Sequence, residues 1–373
     1  MNDKRRARRA KQVRRDARRT KKRNAQSATA LSDFARKALA RRHPLDLLSI
    51  ASLLVNVAKP DPLGNETYVD SVLGALIEVP NRETTALLAV IAELFDDDPT
   101  AQLRCREELA ERDEHLPQWI PALSQVDVYR AVRRSHVLGD ADEIVLGMRI
   151  DGEHELTVAV WIDHTMLSGI ADAGVVPKPI DTALVRVAEL SADADVLEMS
   201  VADARAWLED ALAKPTFGQE TQTWPLYRAL VQWLARRLPE GGEHRWQAMD
   251  WPEIEELCDR FFATECAAPF TDSGHRELLL ELLDDERDPL RWSTTRVEQA
   301  IGSAHHYDCD RIPLEVTLDA PDLLRAFIPF AHVQRGIRDE LTSRTLAVID
   351  ALRSSYKRGV LKEAEYWGYL DAG

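Results

Sequence analysis

The chain has 373 residues, of which 45% are apolar, 6% aromatic and 30% charged, with four cysteines. That length supports one to three domains with a packed core, which excludes a disulfide-stapled mini-protein and a wholly disordered chain. Its 48 basic and 63 acidic side chains give a net charge of −15, and this average conceals two opposite regions.

Residues 1–23 hold 13 Lys and Arg against Asp3 and Asp16, a local net of +11. Removing them leaves 35 basic and 61 acidic groups in the other 350 residues, a net of −26. The basic segment has Val13 as its one sizeable apolar residue and no aromatic. It has nothing to bury, so residues 1–30 are expected to be a disordered arm. A helix would stack Arg14 over Arg18 and Arg15 over Arg19, each like-charged pair costing about 0.2–0.5 kcal/mol. Ala7, Ala10 and Ala17, with no Gly or Pro, leave helix accessible once an anionic surface neutralises the charge. Arg outnumbers Lys nine to four, and its planar fork suits bidentate phosphate contacts. Arg5, Arg6, Arg8, Arg9, Arg14, Arg15, Arg18 and Arg19 are the expected phosphate contacts. No ring precedes Phe34 on which a base could stack. Binding would rest on backbone electrostatics, with little sequence reading and steep salt dependence. A solubilising tail, or an arm folded back on the acidic body, are the competing readings.

From residue 31 to 140 the pattern reads as a helical domain. Ser32 is a candidate cap for a helix over Asp33–Arg42, and Pro44 opens a second with Leu47, Leu48, Ala51, Leu54 and Val55 on one side. Thr67–Val79 gives a third, and Asn81 caps a fourth that stops at Asp96–Asp97–Asp98–Pro99. Helices over 100–112 and 126–136 complete the region. The apolar run Leu47–Ala58 extends 12 residues without a charge, too short to span a bilayer. No secretory signal is expected, and the scattered cysteines fit a reducing cytoplasm.

Residues 141–213 read as a small α+β module. Asp151–Gly152 separates Glu143–Ile150 from Glu155–Asp163, a hairpin signal, with Leu156, Val158, Val160 and Ile162 on one face. Helices over 165–173 and from Thr182, a short strand at Val196–Met199, and a Ser200-capped helix with Asp203 at the capping-box position follow. Residues 214–224 form a connection. A C-terminal helical domain, 225–373, has helices over 225–238, 252–267, 274–286, 294–305, 321–335 and 337–357, the last with Ile337, Leu341, Val348 and Leu352 inward. The expected fold class is mainly α with a small α+β module, two helical regions flanking a β-hairpin-containing middle segment.

Two strings carry a resemblance. DPLRWSTTRVE (Asp288–Glu298), followed by DRIPLEVTLDAPDL (Asp310–Leu323), and VWIDHTMLSGIADAG (Val160–Gly174) resemble blocks found in uncharacterised actinobacterial proteins. The resemblance implies a bacterial cytosolic protein and carries over no catalytic residue.

Asp163–His164, at the end of an expected strand, is the chemical candidate, with Asp172 two helical turns further on. Asp and His are the ligands and general bases of metal-assisted hydrolysis. The competing reading makes Asp163 the cap of the helix that follows. Glu153 and His154 lie about 30 Å away at the other strand end. Cys258, Cys266, His305, His306 and Cys309 lack the tight pair that zinc sites use, and Cys258 and Cys266 read as core residues beside Phe261. The Asp96–Asp98 and Asp284–Glu286 clusters read as solvated helix stops rather than calcium loops. Trp224, Trp246, Trp251 and Trp292 read as packing residues near the connection. Phosphate-loop, dinucleotide, nucleophile-elbow and zinc-protease motifs are absent. The expectation is a cytoplasmic binding protein without cofactor. Its arm contacts nucleic acid or a ribonucleoprotein, and its acidic body offers a surface to a protein partner. The alternatives are a metal-assisted hydrolase using Asp163 and His164, and an interaction scaffold with the arm clasped on the body.

Overall fold

A computed structural model describes residues 29–59, 69–190, 193–215, 221–245, 249–284, 287–302 and 312–366. The expected arm lies outside the described residues except for Thr29 and Ala30, as do His305, His306, Cys309, Trp246, Asp285 and Glu286. The first helices follow the sequence cues with small shifts. Helix α1 (29–40) begins ahead of Ser32, which is buried inside it and accepts from Asn81 Nδ2 at 3.3 Å. Helix α2 (Pro44–Ala58) is capped by His43, whose Nδ1 accepts from the Leu45 amide at 3.2 Å. Helix α3 (Val69–Ile77) precedes α4 (Arg82–Leu94), which starts on a capping box between Asn81 and Thr84. Asp98 caps α5 (Pro99–Ala110). Its neighbours are paired rather than merely solvated: Asp96 bonds Arg236, and Asp97 meets Lys59 Nζ at 2.6 Å.

Five antiparallel strands make one sheet: β1 (Asp127–His136), β2 (Ala141–Ile150), β3 (His154–Asp163), β4 (Gly169–Val176) and β5 (Ala194–Met199), in the order β4-β3-β2-β1-β5. The expected hairpin is β2–β3, with both Asp151 and Gly152 at positive φ in its turn. Leu156, Val158, Val160 and Ile162 are buried on its inner face.

Two expected helices are strands. Residues 126–136 form β1, whose alternation was hidden because Arg133 and Ser135, not apolar residues, take inner positions. Residues 165–173 are a tight turn and β4, where pairing with β3 overrides the weak strand propensity of Gly169, Ala171 and Gly174.

Helices α6 (Ile180–Leu190) and α7 (Val201–Ala213) flank β5, and α8 (Trp224–Arg237) follows. One apolar cluster runs from Ala35 to Leu238, joining α1, α2, α4, the inner sheet face, α7 and α8. The core therefore continues past the connection read at 214–224. Ser200 caps α7 as expected, but Asp203 accepts from the Glu243 amide rather than closing a capping box. Across the sheet, Ile180 and Leu184 of α6 cover Val132 and Val145.

A second cluster, Ile254 to Val360, is built by α9 (Trp251–Phe262), α10 (Ser273–Leu283), α11 (Thr294–Ile301), α12 (Leu314–Thr317), α13 (Ala320–Arg335) and α14 (Asp339–Tyr366). In α14 the most buried positions include Thr345, Ile349 and Tyr356, which the expected stripe omitted. Trp224 belongs to the first core and Trp292 to the second, while Trp251 is 45% exposed.

Trp292 is clamped to α13 and α14 by buried polar bonds. Its amide donates to His332 Nε2 at 3.3 Å, His332 Nδ1 lies 2.8 Å from Thr342 Oγ1, and Thr345 Oγ1 donates to the Trp292 carbonyl at 3.1 Å. An acceptor Nε2 requires neutral imidazole. Burial pulls His332 from 6.5 down to about 4. A depressed histidine contributes stability that is fully present above its unfolded value and is lost as pH falls through the folded one. Acidification from pH 7 to 4 should therefore cost the wild type roughly 2–3 kcal/mol more than H332Q. Urea midpoints at the two pH values measure the difference.

Candidate functional site at the polar end of the sheet

Alternation along the strands decides which side chains share the inner face. On β2 these are Asp142, Ile144, Leu146, Met148 and Ile150, and on β1 Ala131, Arg133 and Ser135. The face is apolar along most of its length and turns polar at one end, where Ser135 pairs with Asp142 and Asp142 with Ile162. The His164 amide donates to the Asp140 carbonyl at 2.8 Å, extending the ladder by one residue. This brings His164 onto the same face as Asp142.

The sequence candidates separate here. His164 Nε2 lies 3.0 Å from Asp142 Oδ2, and its Nδ1 lies 2.9 Å from Ser168 Oγ. Asp163 instead accepts from the Thr165 amide at 2.8 Å and from Thr165 Oγ1 at 2.6 Å, so it closes the turn. Its capping role is real, although it caps a turn rather than a helix. Asp172 is drawn elsewhere, accepting from Thr221 Oγ1 and Thr223 Oγ1, each at 2.7 Å. Asp142 was missed because it stands in a run of acids, Asp140 to Glu143, that reads as a solvated turn. The available signal was its phase: it falls in step with Ile144, Leu146 and Met148.

Asp142 is 3% exposed. Burial alone would raise its carboxyl, but the His164 hydrogen bond and the Arg133 charge more than offset this and hold it below the ordinary range. Arg133 Nε stands 3.8 Å from Asp142 Oδ1, and neither atom has a hydrogen-bond partner among the described residues. The Arg133 guanidinium lies 4.6 Å from the Trp207 ring centre, and Trp207 also meets His164 and His244 edge-on. With Asp142 ionised, Nε2–H donates to it and leaves Nδ1 to accept from Ser168. Ser168 has φ 58, the left-handed region, a strained position for a residue with a Cβ.

Beyond Asp142 the polar face opens on a cavity of about 40 Å³. A buried water requires roughly 10–15 Å³ of such space, so the cavity holds a few waters or one small ion. Arg133, Ser135, Asp140, Asp142 and His164 form one wall, and Arg287, Asp288, Arg291, Arg296 and Arg335 the other. The second wall comes from the loop before α11 and from α11 and α13. Arg291 spans the two: its Nη1 donates to Ser135 Oγ at 3.1 Å and to the His136 carbonyl at 3.2 Å, while Nε meets Asp288 at 3.1 Å. Its stem crosses Gly139, which takes φ +77 and where an added Cβ would sit 3.3 Å from Arg291 Cδ. Arg296 stacks on Trp292 and donates to the carbonyls of Asp288 and Arg291, each at 2.6 Å. Leu138 packs with Ile337 and Leu341 beside these bonds. Burial and then the Arg335 charge lower Arg291, whereas burial raises Asp140 against the pull of Ser293 and nearby cations.

The other sequence candidates do not join this site. Cys258 is buried beside Phe261 with its thiol pushed up to about 12 by burial, but Cys266, expected in the core, is exposed. No group of three or more His, Cys, Asp or Glu side chains among the described residues is arranged to hold a metal ion. No protein-family model, curated protein or solved structure matches this chain.

Removing the Asp142 charge leaves half-buried Arg133 without its counter-ion and the His164 Nε2–H without its carboxylate acceptor. Asp142→Asn should cost roughly 3 kcal/mol of stability, against about 1 kcal/mol for losing the turn cap in Asp163→Ala. Guanidinium unfolding of the two variants provides the comparison.

Proposed function

We propose that this chain is a cytoplasmic binding protein that attaches an acidic, mainly helical body to nucleic acid or a ribonucleoprotein through its N-terminal arm. The observation that carries this reading is charge segregation, +11 within 23 residues against −26 in the remainder. Surface chemistry where the arm meets the body supports it. Arg36, Lys37, Arg41 and Arg42 are exposed on and just after α1, so the positive charge continues beyond the arm. Phe34 is 56% exposed with Lys37 Nζ 6.0 Å from its ring centre, a single face on which a base can stack. A groove of about 730 Å³ beside this helix is lined by Arg36, Arg42 and Arg82 together with Glu83, Asp151 and Glu153, so it adds no net positive charge to that of α1. Arg36 pairs with Asp33 and Arg41 with Asp46, each at 2.9 Å, but such exposed pairs are weak and yield to a polyanion. No helix among the described residues is long and apolar enough to cross a membrane. The acidic body remains available to a protein partner.

Eight arginine–phosphate contacts imply a slope of log K against log salt on the order of −6 to −7. Fluorescence anisotropy with a labelled single-stranded RNA and a duplex DNA measures it. A chain beginning at Gln26 should lose most of the slope while keeping its Tm. Equal binding by both chains would refute the role of the arm.

A second reading has its own observation, the Ser168–His164–Asp142 relay. It describes an acyl hydrolase in which Ser168 Oγ attacks a carbonyl carbon as its proton passes to His164 Nδ1. The imidazole returns that proton to the alcohol or amine that leaves as its bond to the acyl carbon breaks, and water, deprotonated by the same nitrogen, then attacks the acyl-serine and frees the acid and Ser168. Here the partner of His164 is Asp142 rather than Asp163, and the chemistry requires no metal. A fluorophosphonate probe should label Ser168, with labelling lost in S168A and reduced about a hundredfold or more in H164Q. Mass spectrometry that finds Ser168 unmodified would retire this reading.

A further inference from the structure

We infer that the cavity between the sheet and the C-terminal helices is a binding site for a phosphate-sized oxyanion. The inference is independent of the arm and of the Ser168 relay. Five arginines, Arg133, Arg287, Arg291, Arg296 and Arg335, surround the cavity, against the carboxylates of Asp140, Asp142 and Asp288. Among the lining side chains guanidinium groups thus outnumber carboxylates five to three, with Asp195 a further carboxylate 3.7 Å from Arg291 Nη2. A small oxyanion would offer acceptors to several of these guanidinium groups at once.

The arrangement is built rather than incidental. Arg291 is held at 10% side-chain exposure by Ser135, the His136 carbonyl and Asp288, and Arg296 by two carbonyls and the Trp292 ring. Their guanidinium planes are fixed before any ligand arrives, which lowers the entropic cost of binding. Arg133 Nε, at the cavity wall, is a donor without a hydrogen-bond partner among the described residues. Arg335 closes the solvent side, its side chain 36% exposed and its Nε 3.6 Å from Asp288. Fork-shaped donors from several directions suit the oxygens of phosphate. The small volume admits the phosphoryl group and leaves any attached moiety outside, past Arg335. Because Arg133 belongs to the sheet, Arg287 and Arg291 to the loop before α11, and Arg296 and Arg335 to α11 and α13, an occupant would tie the two units together.

The test is calorimetric titration of the full chain with inorganic phosphate at fixed ionic strength, with scanning fluorimetry in parallel. Phosphate at tenfold excess over its Kd should raise Tm by about 2 °C relative to chloride. R335Q and R287Q should weaken phosphate about tenfold while keeping the wild-type Tm in chloride. Adenosine 5′-monophosphate binding more tightly than phosphate would assign the site to a nucleotide phosphoryl group, and equal affinity to the free anion. Either supports the site. No heat beyond the chloride control, or identical titrations for wild type and both variants, would overturn it, since the latter places the phosphate on the arm.

Discussion

A buried carboxylate organises the end of this sheet. Asp142 stands in the phase of an apolar stripe and is almost fully enclosed, so its charge requires an answer from the protein itself. His164 and Arg133 supply that answer, from the turn beyond β3 and from β1. The strand register is what makes the match possible. Ser135, Asp142 and Ile162 are direct neighbours, and one further ladder bond carries His164 into reach. A slip of one residue in any of these pairings would turn Asp142 outward and expose the apolar stripe with it. The polar cluster and the core therefore select the same register.

The same end of the sheet is where the two cores meet. Arg291 reaches from the loop before α11 to the last residues of β1, and Gly139 lets the hairpin turn pass beneath its stem. Arg338 bonds Asp193, and Gln299 bonds the Thr165 carbonyl, so contacts surround the cavity on more than one side. The junction is polar at its centre, with a small apolar group around Leu138, Ile337 and Leu341 among the described residues. An interface of this composition resembles a transient protein–protein contact more than a continuous core. Its stability depends on satisfying arginines, which ties the geometry of the junction to the charge state of what lies between them.

Much of the helical framework was legible because caps and periodicity are local. Asn81 and Ser200 each cap where the chain predicts, Pro44 opens α2 as its fixed φ requires, and Asp98, read only as a helix stop, also caps α5. The hairpin was legible for the same reason. Strand β1 was not, because its inner positions near the site are Arg133 and Ser135, and pattern reading equates inner with apolar. Strand β4 depends on pairing with β3, a tertiary effect. The site itself was half legible. His164 was named, but its partner lies 22 residues earlier and the guanidinium wall more than 120 later. Arg291 and Arg296 stood in the string Asp288–Glu298 with no role that spacing could assign.

Charge segregation sets a physical limit on how this body can meet a polyanion. With −26 outside the first 23 residues, the body repels nucleic acid at close range, and salt screens that repulsion beyond about 8 Å. Attraction at a basic segment and repulsion at the body need not cancel where the two are separated by more than that distance. The exposed cations of α1 lie between the two fields, beside the acids Asp33, Asp46 and Glu83. A polyanion on the arm would thus be held near the α1 face and kept from the rest of the acidic surface. The junction cavity escapes this repulsion differently. It is enclosed, it carries its own excess of guanidinium charge, and a small oxyanion inside it is shielded from the distant carboxylates by the same arginines that bind it. If both proposals hold, the two basic features would address anions of different size, one extended and one compact.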